Sequence, residues 1–323
     1  MGDESLVDLS LLDALKSIPD GQLQLHLFGA STASGQAFRC LVPKVSDEYR
    51  LWPYSRRPAL RDSTFSSADF DAPSDFYLAG KVGASALLIS FAPIWLLAPF
   101  FEQLATNFPD RLRDLSGLIA CSSSSAVTKR FAANRFDRQL VARLIGAEDQ
   151  LLATCRGLGV SCCILQPTLI YGKVGDYRDR NLSRLIRLMR RLPCLPLPSE
   201  TGLRQPIHAT QVAAIALHIA SQWKSGFDSV LPERIAIGGD TILSYASMIS
   251  ALQQAQPVGD PARRCRLLPI PNRLFFALAA PLLLRSPKAF EAVLRMGANL
   301  SGFTPAHQLL GREPQPFPVL PLA

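Results

Sequence analysis

Short runs rich in leucine and β-branched residues alternate with longer helical patterns through the first two thirds of the chain, and nothing else in the sequence narrows its fold as much. Parallel strands need a crossover between them, usually a helix, so this rhythm predicts βαβ units and an open parallel sheet covered by helices on both faces. The pattern predicts strands at Leu23–Phe28, 49–54, 64–68, Ala86–Ser90, 117–121 and 160–165. The clearest helix pattern is 137–155, where Leu140, Leu144, Ala147, Leu151 and Leu152 recur at helical spacing and Gly157-Leu158-Gly159 ends it. After Pro167 the rhythm gives way to short elements joined by proline-rich turns such as 192–198, as expected where a sheet domain sends excursions into a second lobe.

The run Leu25-His26-Leu27-Phe28-Gly29-Ala30-Ser31-Thr32-Ala33-Ser34-Gly35 reads as a strand, a tight turn and a helix start. That arrangement aims backbone N–H groups and a helix N-terminus at a pyrophosphate. Its spacing is G-x-x-G-x-x-G with Thr32 in the middle position, where the threonine either contributes its hydroxyl or obstructs the phosphate. Gln24 and His26 are unusual in a strand expected to be apolar on both faces. The second strand runs into Arg56 and Arg57, which suit the 2′-phosphate of NADP better than the free ribose hydroxyl of NAD; the alternative is a solvated loop pair. The expected architecture is α/β: a Rossmann-like doubly wound parallel sheet with a small C-terminal substrate lobe. Residues 1–20 read as an N-terminal extension, 21–172 as the dinucleotide-binding core, and 173–323 as a mixed segment that forms the lobe and returns to the core.

Further blocks occur in order along the chain: Ala68-Asp69-Phe70, Leu88-Ile89-Ser90-Phe91-Ala92-Pro93, a serine run at 122–125, Leu165-Gln166-Pro167 followed by Tyr171-Gly172, Gly202 to His208, Gly238-Gly239, and Leu310-Gly311 with Pro314. Together they resemble the extended short-chain dehydrogenase/reductase superfamily, in its branch of NAD-dependent epimerases and dehydratases acting on nucleoside-diphosphate sugars. The resemblance implies that Gly29, Ser31, Thr32 and Gly35 hold the pyrophosphate, Arg56 and Arg57 the 2′-phosphate, and Asp69 the adenine. It places Ser90, Ala92, Pro93 and Pro167 along the nicotinamide side. It gives Ser123 the task of polarising a carbonyl, and sets Arg204 and His208 against the substrate. NADP is favoured over NAD.

The superfamily works through Y-x-x-x-K on the helix after strand five, where the lysine lowers the pKa of a proton-exchanging tyrosine. Here neither residue type occurs between Arg130 and Leu158. Lys129 could enter the site from the loop, or cap it as a solvated side chain. His208 stands in an acid/base position or is a structural histidine. Two functions from different classes follow: an atypical NAD(P)-dependent oxidoreductase or epimerase-like enzyme with a small anionic substrate, possibly a sugar nucleotide, or a catalytically silent dinucleotide-binding regulatory, redox-sensing or assembly protein.

Composition bounds these readings. With 323 residues, 48% of them hydrophobic, the chain can bury one large core and a satellite. The net charge of +8 suits a small anion as well as a nucleic acid. The basic stretch 178–191, with Arg184, Arg187 and Arg191 on one side, is a solvated face or an anion contact. It lacks the interleaved aromatics expected of a nucleic-acid binder, so no nucleic acid is expected. Seven scattered cysteines without a C-x-x-C pair, and four histidines without ligand spacing, predict neither disulfides nor a metal, in a reduced, cytoplasmic protein. The start lacks a secretory pattern, and the apolar stretches 86–101 and 274–284 are too short or interrupted to span a bilayer, although the second could touch a membrane surface.

Overall fold

The computed structural model describes residues 23–319 except 46–47, 57–64, 80–83, 130–134, 176, 180, 225–230 and 282–292. The N-terminal extension and Arg57 lie outside the described residues. Eight parallel strands form the main sheet: β1 Leu23–Phe28, β2 Tyr49–Ser55, β3 Ser66–Ser67, β4 Ala86–Ser90, β5 Leu115–Cys121, β6 Ser161–Pro167, β7 Arg234–Gly238 and β8 Thr304–Pro305. Their order is 3-2-1-4-5-6-7-8, so the winding reverses between β1 and β4. In an open parallel sheet that reversal leaves a crevice at the carboxyl ends of the two strands. The third strand is two residues long, shorter than the expected 64–68, and carries only Ser66 and Ser67 in the ladder.

Helices α1 Ala33–Val45 and α5 Ala209–Lys224 pack together on one face, and α2 Ile94–Asn107 and α3 Arg135–Leu158 on the other; α4 is Asn181–Arg191. Each face has its own apolar cluster. Leu25, Leu27, Phe38 and Ile215 belong to the first, and Phe28, Phe101, Leu118 and Leu151 to the second. The single helix α3 extends the predicted 137–155 at both ends and buries Val141, Leu144, Leu151 and Leu152.

Every residue of β1 is buried, including the two polar ones. His26 resolves its apparent misfit through β2: its Nδ1 lies 3.0 Å from the Tyr54 hydroxyl, which also accepts from the Ala79 amide at 2.8 Å. A buried polar side chain is tolerated when it is hydrogen-bonded in this way.

Residues 173–323 serve two places. The segments β7, β8 and α5 complete the main fold, while α4, α6 Tyr245–Gln254 and a parallel strand pair, Cys194–Pro198 with Arg266–Ile270, enclose a separate cluster of Ile186, Met189, Leu197 and Ile249. Asp240 binds the C-terminal segment to the core: its buried carboxylate accepts from Gln211 Nε2 (2.9 Å), the His307 amide (2.7 Å) and the Gln315 amide (3.0 Å). Among the described residues no helix is long and apolar enough to cross a membrane.

Burial lowers the pKa of His26 and of His208 from 6.5 to about 4. Between those values the unfolded chain binds more protons, so the stability contributed by the neutral rings is complete above about pH 6.5 and is lost as the pH falls toward about 4. The urea midpoint is expected to fall between about pH 7 and about pH 5, and to fall less steeply in a His26→Gln/His208→Gln double variant. Equal slopes in the two proteins would refute this assignment.

Candidate active site

The turn after β1 and the turn after β4 meet at the winding reversal. The Phe91 amide donates to Phe28 O at 3.0 Å. Gly29 has φ +71°, and a Cβ there would lie 2.5 Å from the Ala92 nitrogen. Gly35 allows an equally close pass, since a Cβ there would stand 2.2 Å from Gly29 O. Thr32 caps α1: its hydroxyl donates to Gly29 O at 2.8 Å and accepts from the Gly35 amide at 3.1 Å. The threonine thus folds back onto its own turn. The amides of Ala33 and Ser34, in the first helical turn, have no intrahelical acceptor, and together with the helix N-terminus they form a cradle for an anion.

Three cavities line up along this edge. The first, of about 170 Å³, has Gly29, Ser31, Tyr54, Arg56, Ala68 and Phe70 in its wall. The second, of about 300 Å³, shares Thr32, Ala92 and Pro93 with it and adds Ser122, Ser123, Leu144, Tyr177 and Asp179. The third, of about 480 Å³, joins the second at Ser123 and Ile170 and reaches Lys129, Arg204 and Arg295. Gly29, Ser31, Thr32, Arg56, Ala92, Pro93, Ser123, Lys129 and Arg204 therefore stand on one trough, Lys129 held there by Asp137.

Other expected site residues stand elsewhere. Asp69 accepts the Asp71 amide at 3.1 Å, and its neighbours Ala68 and Phe70, not Asp69 itself, line the first cavity. Ser90 is buried with its hydroxyl accepting from the Ala92 amide at 3.3 Å, so it shapes the turn from behind. Pro167 uses its carbonyl to hold the Ser124 amide at 2.9 Å, and the residues after it enter the third cavity. His208 is 1% exposed, with Nδ1 2.7 Å from the Thr210 hydroxyl and its ring edge-on to Tyr171, and lines none of the three cavities. Tyr171 itself accepts the Val319 amide at 2.9 Å, which anchors the tail. Among the described residues no group of three or more His, Cys, Asp and Glu side chains could hold a metal ion.

The face of α3 toward the serine run carries Leu144 and Glu148, one turn apart. Leu144 lines the middle cavity. Glu148 is 1% exposed and accepts from Ser122 Oγ (2.5 Å), from Gln166 Nε2 (3.0 and 2.8 Å) and from Arg234 Nε (2.9 Å). The Ser122 proton is thereby committed to Glu148. Ser123 accepts the Ser125 amide at 3.2 Å and keeps its own proton for the cavity. Burial pushes the Cys121 thiol in the same wall up to about 12, so it stays protonated. Glu148 and Tyr177 are absent from the expected site. The one sequence sign of Glu148 is an acid inside the apolar stripe of the helix, between Ala147 and Leu151.

No protein-family model matches the sequence, and no curated protein matches it. Solved structures do match. A human epimerase family protein solved with NADPH superposes with TM-score 0.61 at 12% identity, over 92% of this chain and 96% of that one. UDP-glucuronic acid 4-epimerase from Bacillus cereus, in complex with NAD, gives 0.57 at 14% identity over 90% and 92%. GDP-mannoheptose C4 reductase from Campylobacter jejuni, with NADP bound, gives 0.54 at 13% over 78% and 88%. The chain shares the Rossmann-type α/β fold of these structures.

Two substitutions check the geometry. Thr32→Ala removes the cap of α1 and is expected to destabilise the protein by about 1 kcal/mol, with Thr32→Ser restoring most of it, as read from urea denaturation. Glu148→Leu leaves the buried Gln166 amide and the Ser122 hydroxyl without their acceptor, while Arg234, a third exposed, keeps Asp149; it is expected to cost roughly 1–3 kcal/mol, and Glu148→Gln clearly less. Equal losses in the two Glu148 variants would show that the carboxylate charge is not what the network requires.

Proposed function

We propose that the chain is an atypical member of the extended short-chain dehydrogenase/reductase superfamily: an NAD(P)-binding oxidoreductase or epimerase-like enzyme whose substrate is a small anion. The observation that carries this reading is the trough at the winding reversal, floored by a glycine turn too close-packed to admit a side chain. Gly29, Ser31 and Thr32, with the free amides of Ala33 and Ser34, would hold the pyrophosphate, the helix N-terminus supplying positive potential, while Gly35 lets the helix start close against the turn. Arg56, at the end of β2, would meet the 2′-phosphate of NADP, and Ala68 and Phe70 would replace Asp69 as the adenine wall. Ala92 and Pro93 would line the nicotinamide side. Bound there, the dinucleotide supplies hydride transfer. Ser123 donates its free proton to a substrate oxygen. Lys129, held by Asp137, contributes charge to the third cavity.

The absence of tyrosine and lysine from α3 favours a second reading. With Leu144 and Glu148 on the face toward the serines, the helix offers the cavity no phenol, which fits a catalytically silent module that binds dinucleotide for regulation, redox sensing or assembly.

Calorimetric titration with NADPH and NADH tests both. Saturable binding of NADPH is expected. Losing a charge-assisted contact worth about 1.5–3 kcal/mol, Arg56→Ala should weaken NADPH binding by roughly tenfold or more while leaving NADH nearly unchanged. Failure of either dinucleotide to bind would remove the cofactor reading. Among binders, consumption of NADPH with a carbonyl panel, followed by nicotinamide absorbance, separates the enzyme from the silent module.

A further inference from the structure

The start of α1 places two side-chain hydroxyls at the trough, and the fold treats them oppositely. Thr32, the cap, spends its proton on Gly29 O at 2.8 Å and its oxygen on the Gly35 amide at 3.1 Å. Ser34, in the first turn of the helix, is 3% exposed, and among the described residues its buried Oγ has no hydrogen-bond partner. A helical serine can turn its hydroxyl back to the carbonyl four residues earlier. Here that residue is Ala30, in the glycine turn ahead of the helix, and the bond is not made. Ala33, Ala37 and Phe38 beside it are buried, so the hydroxyl stands in an otherwise apolar stretch of α1. A buried hydroxyl with nothing to bond is a net cost to the folded chain, and a ligand that accepts its proton removes that cost.

Its place in the trough says what such a ligand brings. Ser34 stands in the wall of the second cavity and not of the first, whereas Thr32 stands in both. The hydroxyl is therefore set on the side of Ser122, Ser123 and Tyr177, away from Arg56. Two other hydroxyls of that wall have committed their protons, Thr32 to Gly29 and Ser122 to Glu148. Ser34 by contrast carries two donors, its side-chain O–H and its main-chain amide in the first helical turn. With no partner to hold it, the hydroxyl can take whichever staggered rotamer meets an acceptor, and a phosphate oxygen makes a charge-assisted hydrogen bond with such a donor. From this we infer that Ser34 is a positioning residue for the dinucleotide, its hydroxyl donating to the phosphate on the nicotinamide half where the proton of Thr32 is already spent. The inference rests on the reading of the trough as an NAD(P) site and deepens it by naming a side chain that fixes the pyrophosphate.

The test is calorimetric titration of the full chain and its Ser34→Ala variant with NADPH, NADH and adenosine 2′,5′-bisphosphate, which lacks the nicotinamide-side phosphate, together with thermal melting of both unliganded proteins. Ser34→Ala is expected to weaken NADPH and NADH alike, by about tenfold, and to change the bisphosphate by less than about twofold. Because the hydroxyl bonds nothing in the unliganded protein, the variant should melt no lower than the parent chain, whereas Thr32→Ala should melt lower. Ser34→Cys, which fills the same space with a weak donor, should weaken the dinucleotides nearly as much as Ser34→Ala. Dinucleotide binding by Ser34→Ala within about twofold of the parent, an equal loss for the bisphosphate, parent-like binding by Ser34→Cys, or a lower melting temperature of unliganded Ser34→Ala would overturn the inference. A parent chain that binds neither dinucleotide removes the cofactor reading and this role with it; a parent chain that binds them indifferently to Ser34 removes this role alone.

Discussion

The close pass of two backbone turns, one after β1 and one after β4, governs the rest of the molecule's functional edge. Because a Cβ at Gly29 would stand 2.5 Å from the Ala92 nitrogen, the two turns can meet only with glycine there. The meeting brings the start of α1, the Ala92-Pro93 corner and the end of β2 to the rim of one crevice. Three cavities open along that crevice in series, each sharing wall residues with the next. A ligand lying across the first two meets helix-end amides and Arg56; anything in the third meets cations.

Opposite the glycine turn, α3 contributes an unusual pair to the middle cavity. Leu144 makes that stretch of wall apolar, and Glu148 is buried behind it as the acceptor for Ser122, Gln166 and Arg234. An unpaired buried carboxylate would be costly, and the three donors offset that cost while fixing which serine keeps its proton. Ser122 becomes part of the framework, while Ser123 stays in the cavity wall with its oxygen accepting the Ser125 amide. Adjacent serines in one run acquire different chemistry from a single acid on a neighbouring helix.

Much of this organisation was legible in the chain itself. Strands β1 and β4 begin and end where alternation and apolar runs predict, and α3 follows its leucine spacing because helical periodicity is local. The Gly29 to Gly35 spacing located the turn. Side-chain partners were less legible: Asp69 takes the Asp71 amide, Ser90 the Ala92 amide and His208 the Thr210 hydroxyl, each a short-range partner that sequence order does not rank. His26 looked out of place in β1 because its partner, Tyr54, is 28 residues away on β2.

By itself, then, the sequence determined the βαβ alternation and the glycine turn after the first strand, because these follow from periodicity and from the one residue type that tolerates a left-handed backbone, while the strand order that puts this turn at the winding reversal came from packing. Tertiary structure alone decided that Thr32 caps its helix, that Glu148 commits Ser122, that Arg204 lies buried against backbone carbonyls, and that Lys129 and Arg295 both reach Asp137. Those outcomes depend on which distant groups arrive within hydrogen-bond reach, and only packing of the layers sets that distance.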